Sequence, residues 1–184
     1  MKATNDLRDE HGGIKVMLDI LGKVCDRLEA GRPVARKHLE EILEFLTVFV
    51  DKCHHAKEED HLFPAMEKAG IPNERGPIGM MLHEHRAGRD FIRGMSDAAG
   101  AVMSGDPGAA KRFAANARSY IDLLRQHIDK EDNILYPMAE SRLPAGADER
   151  LTAAFEAVEH ERVGLGRHEE FHRMMDRLRS DYGV

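Results

Sequence analysis

The chain has 184 residues, with 27 basic and 33 acidic side chains and a formal net charge of −6 at pH 7. This length suits one domain with its own core, and the acidic balance argues against nucleic acid or an anionic membrane surface as a partner. With two cysteines, a charged N-terminus and no apolar run long enough to span a bilayer, the sequence predicts a cytoplasmic protein in a reducing compartment.

Apolar residues recur at helical spacing in five long segments, and no segment alternates apolar and polar residues with a period of two. Stretches that contain glycine and proline separate the segments: residues 31–33, 70–77, 104–108 and 143–147. Long helices joined by short loops favour an antiparallel bundle. The sequence therefore predicts an all-α fold in a single domain spanning 1–184, with an antiparallel up-down four-helix bundle over about 5–142 and an additional C-terminal helix over about 147–181.

A repeated motif is the most informative feature of the chain. The second segment contains CHHAKEEDHLFP, and the fourth contains QHIDKEDNILYP. Aligning their prolines pairs four polar residues, His54 with His127 and Glu58 with Glu131. Since residues four apart lie on one helix face, each copy presents an imidazole and a carboxylate to the same point. The proline that closes each copy is expected to kink or end its helix at the same place.

The first and third segments each add one histidine to the repeat. DEH at 9–11 resembles HEH at 83–85, and pairing His11 with His85 aligns the apolar residues that flank them. Pairing His11 with His83 loses that agreement. Each half of the chain is then a helical hairpin with one histidine on its first helix and HxxxE on its second. Two halves supply four histidines and two glutamates.

Two histidines are adjacent in the first copy, and helical periodicity separates their roles. His54 continues the apolar stripe of Leu43 and Val50. His55 continues a polar stripe, so we expect it to face water, and we set aside the competing pair of His55 with Glu59.

Six inward-facing nitrogen and oxygen ligands are more than a structural zinc site needs, and the lack of thiolates argues against iron–sulfur or copper(I) chemistry. Two cations that share the carboxylates fit this set better. Iron is the first choice, with manganese or zinc as substitutes. Without a metal, the same residues would place two carboxylates and four imidazoles in a core at considerable cost.

The motifs resemble the hemerythrin-like HHE cation-binding family over about residues 5–140. The family pattern is a lone histidine followed by HxxxE, given twice, and HxxxE is often followed by an apolar residue, an aromatic residue and proline. The resemblance implies a four-helix bundle with a non-heme, carboxylate-bridged di-iron centre. Its ligands would be His11, His54, Glu58, His85, His127 and Glu131.

The chain departs from the oxygen-carrying hemerythrins that it resembles. Those proteins use five histidines, with HxxxH on the third helix, whereas Arg89 stands four residues after His85 here. This difference argues against simple oxygen carriage. His168 is a candidate additional ligand, because it shares a helical stripe with Leu165 and Met175; the alternative is a histidine packed at a helix interface. His83 and Tyr136 are candidates for orienting a ligand or donating to a bound oxygen species.

We therefore expect a di-iron protein that binds or senses O2, NO or peroxide; whether it also handles iron, or removes peroxide as a weak peroxidase or catalase, is left open. One alternative is a ferritin-like di-iron oxidase or iron-storage enzyme, which would need ExxH pairs on two helices. Glu58 with His61 and Glu169 with His172 form such pairs, but Ile134 occupies the repeat position of His61, and this failure of symmetry argues against the alternative. Another is a metal-free helical interaction module whose histidines sense pH. The sequence does not determine the oligomeric state or the redox partner.

Overall fold

The computed structural model describes residues 1–104, 106–164 and 166–184, and these residues form six helices and no strand. Four of the helices form the bundle: α1 (Lys2–Glu29), α2 (36–68), α3 (Pro77–Met103) and α4 (107–142). The other two are α5 (147–163) and α6 (Arg167–Tyr182). No described helix is long and apolar enough to cross a bilayer. The expectation of an all-α bundle is confirmed.

Three of the helices contain π-helical turns within a continuous helix. In α2 these are Phe45–His55 and Glu58–Leu62, in α4 Glu131–Leu135 and in α5 Glu159–Val163. The turns in α2 and α4 end shortly before Pro64 and Pro137, and each helix then continues to Lys68 or Arg142. A proline ring clashes with the carbonyl four residues earlier, and a wider turn relieves that clash. The repeat therefore produces a local widening, and neither helix ends at its proline.

Contacts between the bundle helices run in opposite directions along paired helices. On α1 and α4, Thr4 bonds to Glu140 and Asp19 to Arg125. On α3 and α4, Glu84 bonds to Lys130, while Gly94 lies against Asn116. On α2 and α3, Glu59 bonds to His85 and Asp51 bonds to Arg89. These helix pairs are antiparallel.

The buried side chains form two apolar clusters, one at each end of the bundle. The larger cluster includes residues of all four bundle helices, among them Ile14, Cys53, Ile92 and Ile128. The smaller includes Leu7, Leu62, Met81 and Leu135. All four helices therefore pass from one cluster to the other across the positions of the repeated histidines and glutamates. The polar residues lie in a layer between two apolar layers.

The C-terminal segment is two helices, where the sequence predicted one. The chain turns between α5 and α6 at Gly164 and Gly166, with φ of 91° and 82°, which are left-handed values that favour glycine. Both helices pack on α1 and on the π-helical part of α2. Leu165, in the predicted stripe of His168, and Gly105, in a predicted loop, lie outside the described residues.

Candidate metal centre

The structure brings the four repeated histidines together in two facing pairs. Nε2 of His11 lies 3.1 Å from Nε2 of His54, and Nε2 of His85 lies 3.0 Å from Nε2 of His127. All four side chains are buried. Each pair joins the lone histidine of one helix to the HxxxE histidine of its hairpin partner, as the repeat predicted.

The two glutamates lie between the pairs, and both are fully buried. Glu58 Oε2 is 3.8 Å from His54 Nε2 and 3.5 Å from His85 Nε2. Glu131 Oε2 is 3.3 Å from His11 Nε2, and its Oε1 is 3.0 Å from His127 Nε2. These approaches lack hydrogen-bond geometry, so Glu58 Oε2 and both Glu131 oxygens have no hydrogen-bond partner among the described residues. Each carboxylate thus spans both histidine pairs.

The outward nitrogen of every paired histidine is held by a carboxylate. The contacts of Nδ1 are His11 with Asp132 at 2.7 Å, His54 with Glu10 at 2.8 Å, His85 with Glu59 at 2.7 Å and His127 with Glu84 at 2.9 Å. A neutral imidazole donates from one nitrogen only, so these contacts place the hydrogen on Nδ1. The lone pair of Nε2 then points into the layer, which is the orientation that a metal ligand needs.

Each of these carboxylates also contacts a cation. The pairs are Glu10 with Lys57, Glu84 with Lys130, Asp132 with Lys15 and Glu59 with Arg89. Sequence reasoning missed the eight residues of this outer ring. A signal was available, because they are related by the same offsets of 73 and 74 residues as the ligands. The repeat therefore extends beyond the residues that face the centre.

Facing Nε2 lone pairs repel each other unless a proton or a cation lies between them. Burial alone would lower the pKa of all four imidazoles, but nearby carboxylates raise the pKa of His11, and Glu131 raises that of His127 to about 9. Burial lowers the pKa of His54 to about 4, and burial with neighbouring imidazoles lowers that of His85. In each pair one imidazole thus binds a proton more readily than the other, and a divalent cation can take the place of a proton between them.

Tyr136 contacts the layer through both its hydroxyl and its ring. Its hydroxyl donates to Glu58 Oε1 at 2.7 Å, and its ring stacks on that of His11 with centroids 5.6 Å apart. Burial and the charge of Glu131 raise the pKa of Glu58, which the tyrosine bond partly offsets. His83 is exposed and makes no described contact with the layer; its neighbour Glu84 orients His127 instead.

His55 is buried, so the prediction that it faces water is wrong. Its ring stacks on that of His85 with centroids 3.8 Å apart and planes at 19°. His55 ends an eleven-residue π-helical stretch, and i→i+5 bonding turns each residue through a smaller angle than an α-helix does. A stripe drawn at 3.6 residues per turn therefore assigns the wrong face. The adjacent histidines were the only signal of this in the sequence.

His168 does not join the layer. Its ring packs edge-on against Phe49, with centroids 5.3 Å apart, and its Nε2 lies 3.9 Å from Glu159 Oε2. It belongs to neither group of potential metal ligands found among the described residues. Its ring lies at the interface of α6 with α2, apart from both of these groups.

The donor atoms fit two first-row divalent ions. Ligand-type atoms of His11, His54 and Glu131 lie within 4.8 Å of one another. A second group, made by His55, Glu58, His85 and His127, meets the same distance. Imidazole and carboxylate without thiolate suit iron, manganese or zinc, and the unpaired oxygens of Glu58 and Glu131 supply the negative charge that such ions neutralise.

Similar proteins are known in several bacteria. An uncharacterized protein of Mycobacterium tuberculosis is 27% identical over 162 residues, which cover 88% of this chain and 63% of the relative. The iron-sulfur cluster repair protein YtfE of Edwardsiella ictaluri is 31% identical over 128 residues, covering 66% of this chain and 56% of the relative. The chain thus spans less than two thirds of the length of these relatives. No solved structure matches it.

The sequence profile of the hemerythrin HHE cation binding domain matches residues 2–139. This range contains all four bundle helices up to the last turn of α4, both copies of HxxxE, and the carboxylates that hold the histidines. The match confirms the resemblance noted in the sequence, and the chain belongs to the hemerythrin HHE cation-binding family.

Proposed function

We propose that this protein holds two non-heme iron ions bridged by Glu58 and Glu131, and that it uses them to bind or sense O2, NO or peroxide. The main support is the position of each carboxylate between the two histidine pairs, at 3.0 to 3.8 Å from one imidazole of each. Bound iron would supply a Lewis-acidic, redox-active centre for a small ligand. Manganese and zinc would substitute for iron in the same donor set.

The protein would orient the ligands and keep the centre dry. Nδ1 bonds to four carboxylates set the angle of each ring, so that little reorganisation accompanies metal binding. Tyr136 adds a hydroxyl donor beside Glu58. The two apolar clusters exclude water from both ends of the layer, which strengthens every charge interaction within it.

The proposal of sensing or redox work, rather than simple oxygen carriage, is supported by Arg89. Arg89 occupies the position of the second histidine in the HxxxH motif of the oxygen carriers. Its guanidinium binds Asp51 and Glu59. The ferritin-like alternative is less well supported, since His61 belongs to neither group of potential ligands among the described residues. Two free, buried cysteines are compatible with the proposed reducing, cytoplasmic setting.

The first test is the metal content of protein purified without a chelator, for the parent chain and two histidine variants. We expect about two irons per chain in the parent. His127→Ala should lose iron because it removes a proposed ligand, whereas His83→Ala should keep it because His83 is exposed. Iron, manganese and zinc all at trace level in the parent would overturn the proposal and favour the metal-free module.

The second test identifies the ligand class. The iron-loaded protein is reduced under argon and then exposed to air, NO or peroxide while its ultraviolet and visible spectrum is followed. A stable, reversible adduct would support binding, and rapid oxidation by air would support redox sensing. No spectral response to either gas or to peroxide would overturn the ligand part of the proposal.

A second candidate function is iron delivery, supported by the likeness to proteins named for iron-sulfur cluster repair. The same two-iron layer would then act as a source of iron. Incubating the iron-loaded protein with an apo iron-sulfur protein, a thiol reductant and sulfide tests this. Faster cluster formation than with an equal amount of free iron would favour delivery, and an equal or slower rate would exclude it.

A further inference from the structure

We propose that His55 is a fifth imidazole ligand, bound to the ion that His85 and His127 hold. The inference rests on the proposed di-iron function and concerns a residue outside the repeated HxxxE motif. It follows from the burial of His55, from the direction of its ring and from the residue at the equivalent place in the second half.

The first observation is that both ring nitrogens of His55 are buried and lack a hydrogen-bond partner among the described residues. Only 3% of the residue is exposed. Buried polar atoms are nearly always paired, and an exception needs a reason. One nitrogen lies within 4.8 Å of ligand-type atoms of Glu58, His85 and His127. A cation among these atoms would supply the missing partner of that nitrogen.

The second observation is that His55 repeats the orientation of the other four histidines. Its Nδ1 faces a carboxylate, Asp51 Oδ1, at 3.5 Å. Arg89 binds that carboxylate at 2.7 Å and also binds Glu59, the carboxylate on His85, at 2.8 Å. One guanidinium therefore joins the carboxylate partners of two stacked rings. With Nδ1 directed at Asp51, Nε2 of His55 would be the nitrogen that serves as the ligand, as in His85.

The third observation is a break in the repeat. The residue 73 positions after His55 is Ile128, which is buried in the larger apolar cluster. Its side chain offers no ligand atom to the group of His11, His54 and Glu131. The fifth imidazole is thus available to one ion only, and the two halves of a symmetric bundle would hold their ions unequally.

The test compares the parent with His55→Ile, which places the residue of the second half at the same position of the first. Iron titration of the metal-free proteins should show that one of the two ions binds more weakly in the variant, by at least the roughly ten- to hundred-fold loss that follows removal of a residue that only orients a ligand. X-ray absorption should show about one fifth fewer imidazoles per iron. His168→Ala is the matched control: its Nε2 is also buried and unpaired but lies outside the layer, so its iron binding should equal that of the parent.

Each result decides between the proposals. A parent with two irons and a His55→Ile variant with unchanged affinity and imidazole count would overturn the inference alone. A parent without iron would overturn the proposed function and the inference together. If His55→Ile does not fold, His55→Ala is titrated with and without added imidazole. Recovery of the lost affinity by imidazole supports a ligand role, and failure to recover it indicates that His55 serves packing only.

Discussion

Lys57 connects the C-terminal helices to the layer of histidines, and replacing it should destabilise the protein. Its side chain is 1% exposed, and its ammonium group binds two carboxylates, Glu10 from α1 and Glu159 from α5. Glu10 in turn holds His54, and although burial opposes it, the bond from His54 and the charge of Lys57 lower the pKa of Glu10 to about 2. The change Lys57→Met keeps the length of the side chain and removes the charge.

The magnitude follows from the burial of each partner. Removing one member of a buried ion pair costs roughly 3–5 kcal/mol, because the other charge is left without compensation. Glu159 is 39% exposed and can return to water, and Glu10 keeps its bond to His54 at 2.8 Å. We therefore expect a loss near the lower limit, about 3 kcal/mol. The repeat supplies a control in Lys130→Met, because the side chain of Lys130 is 34% exposed; that change should cost about 1 kcal/mol or less.

Urea unfolding of the metal-free proteins, followed by far-ultraviolet circular dichroism, measures both losses without a contribution from bound metal. The double variant Lys57→Met/Glu10→Gln should recover part of the loss, because the glutamine still accepts from His54 but carries no charge to bury. Equal losses of unfolding free energy for Lys57→Met and Lys130→Met would refute the reasoning. A double variant whose loss equals the sum of the losses of Lys57→Met and Glu10→Gln would refute it as well.

Three further predictions concern a helix cap, the cysteines and the protons of the layer. Asp148 accepts from the first two backbone amides of α1, so Asp148→Ala should cost about 1 kcal/mol in urea unfolding, and Glu149→Ala should cost much less. Those bonds lower the pKa of Asp148, so its contribution is full above the ordinary value of 3.8 and is lost as the pH falls through the lowered pKa; a cost that does not shrink as the pH falls below 3.8 would contradict this. Burial raises the pKa of Cys25 and Cys53 to about 12, so a thiol reagent should modify them only in denaturant, and fast reaction of the native protein would argue against the packing. Zinc binding at pH 7 should release protons into a weakly buffered dye solution, with the release from His127 disappearing as the pH rises through about 9.

The repeat is regular enough that residue spacing alone predicts the six proposed ligands. HxxxE places two side chains on one face of a helix, whatever the helix packs against. In the repeat, His11 pairs with His85 because this alignment matches the apolar residues that flank each of them on a helical stripe. All six residues do lie together in one buried layer. Local spacing is sufficient here because the same hairpin occurs twice.

The faces of α2 could not be predicted in the same way. A stripe drawn at α-helical spacing correctly placed His54 but put His55 in water, because the π-helical stretch that ends at His55 changes the angle between residues. Residues 53–58 are all buried, since the bundle covers one side of α2 and the C-terminal helices cover the other. Hydrophobic periodicity identifies the buried face of a helix only when another face is exposed to water, so it fails for a helix that is covered on both sides.

The helical class, the repeat, and the imidazole and carboxylate chemistry of the proposed centre were predictable from the sequence, because these depend on residue type and on spacing within one helix. The carboxylate that holds each histidine, the packing of His168 on Phe49 and the stacking of His55 on His85 could be found only from the folded structure. Those contacts join different helices, and their distances follow from how the helices pack and where they widen, neither of which is encoded in local periodicity.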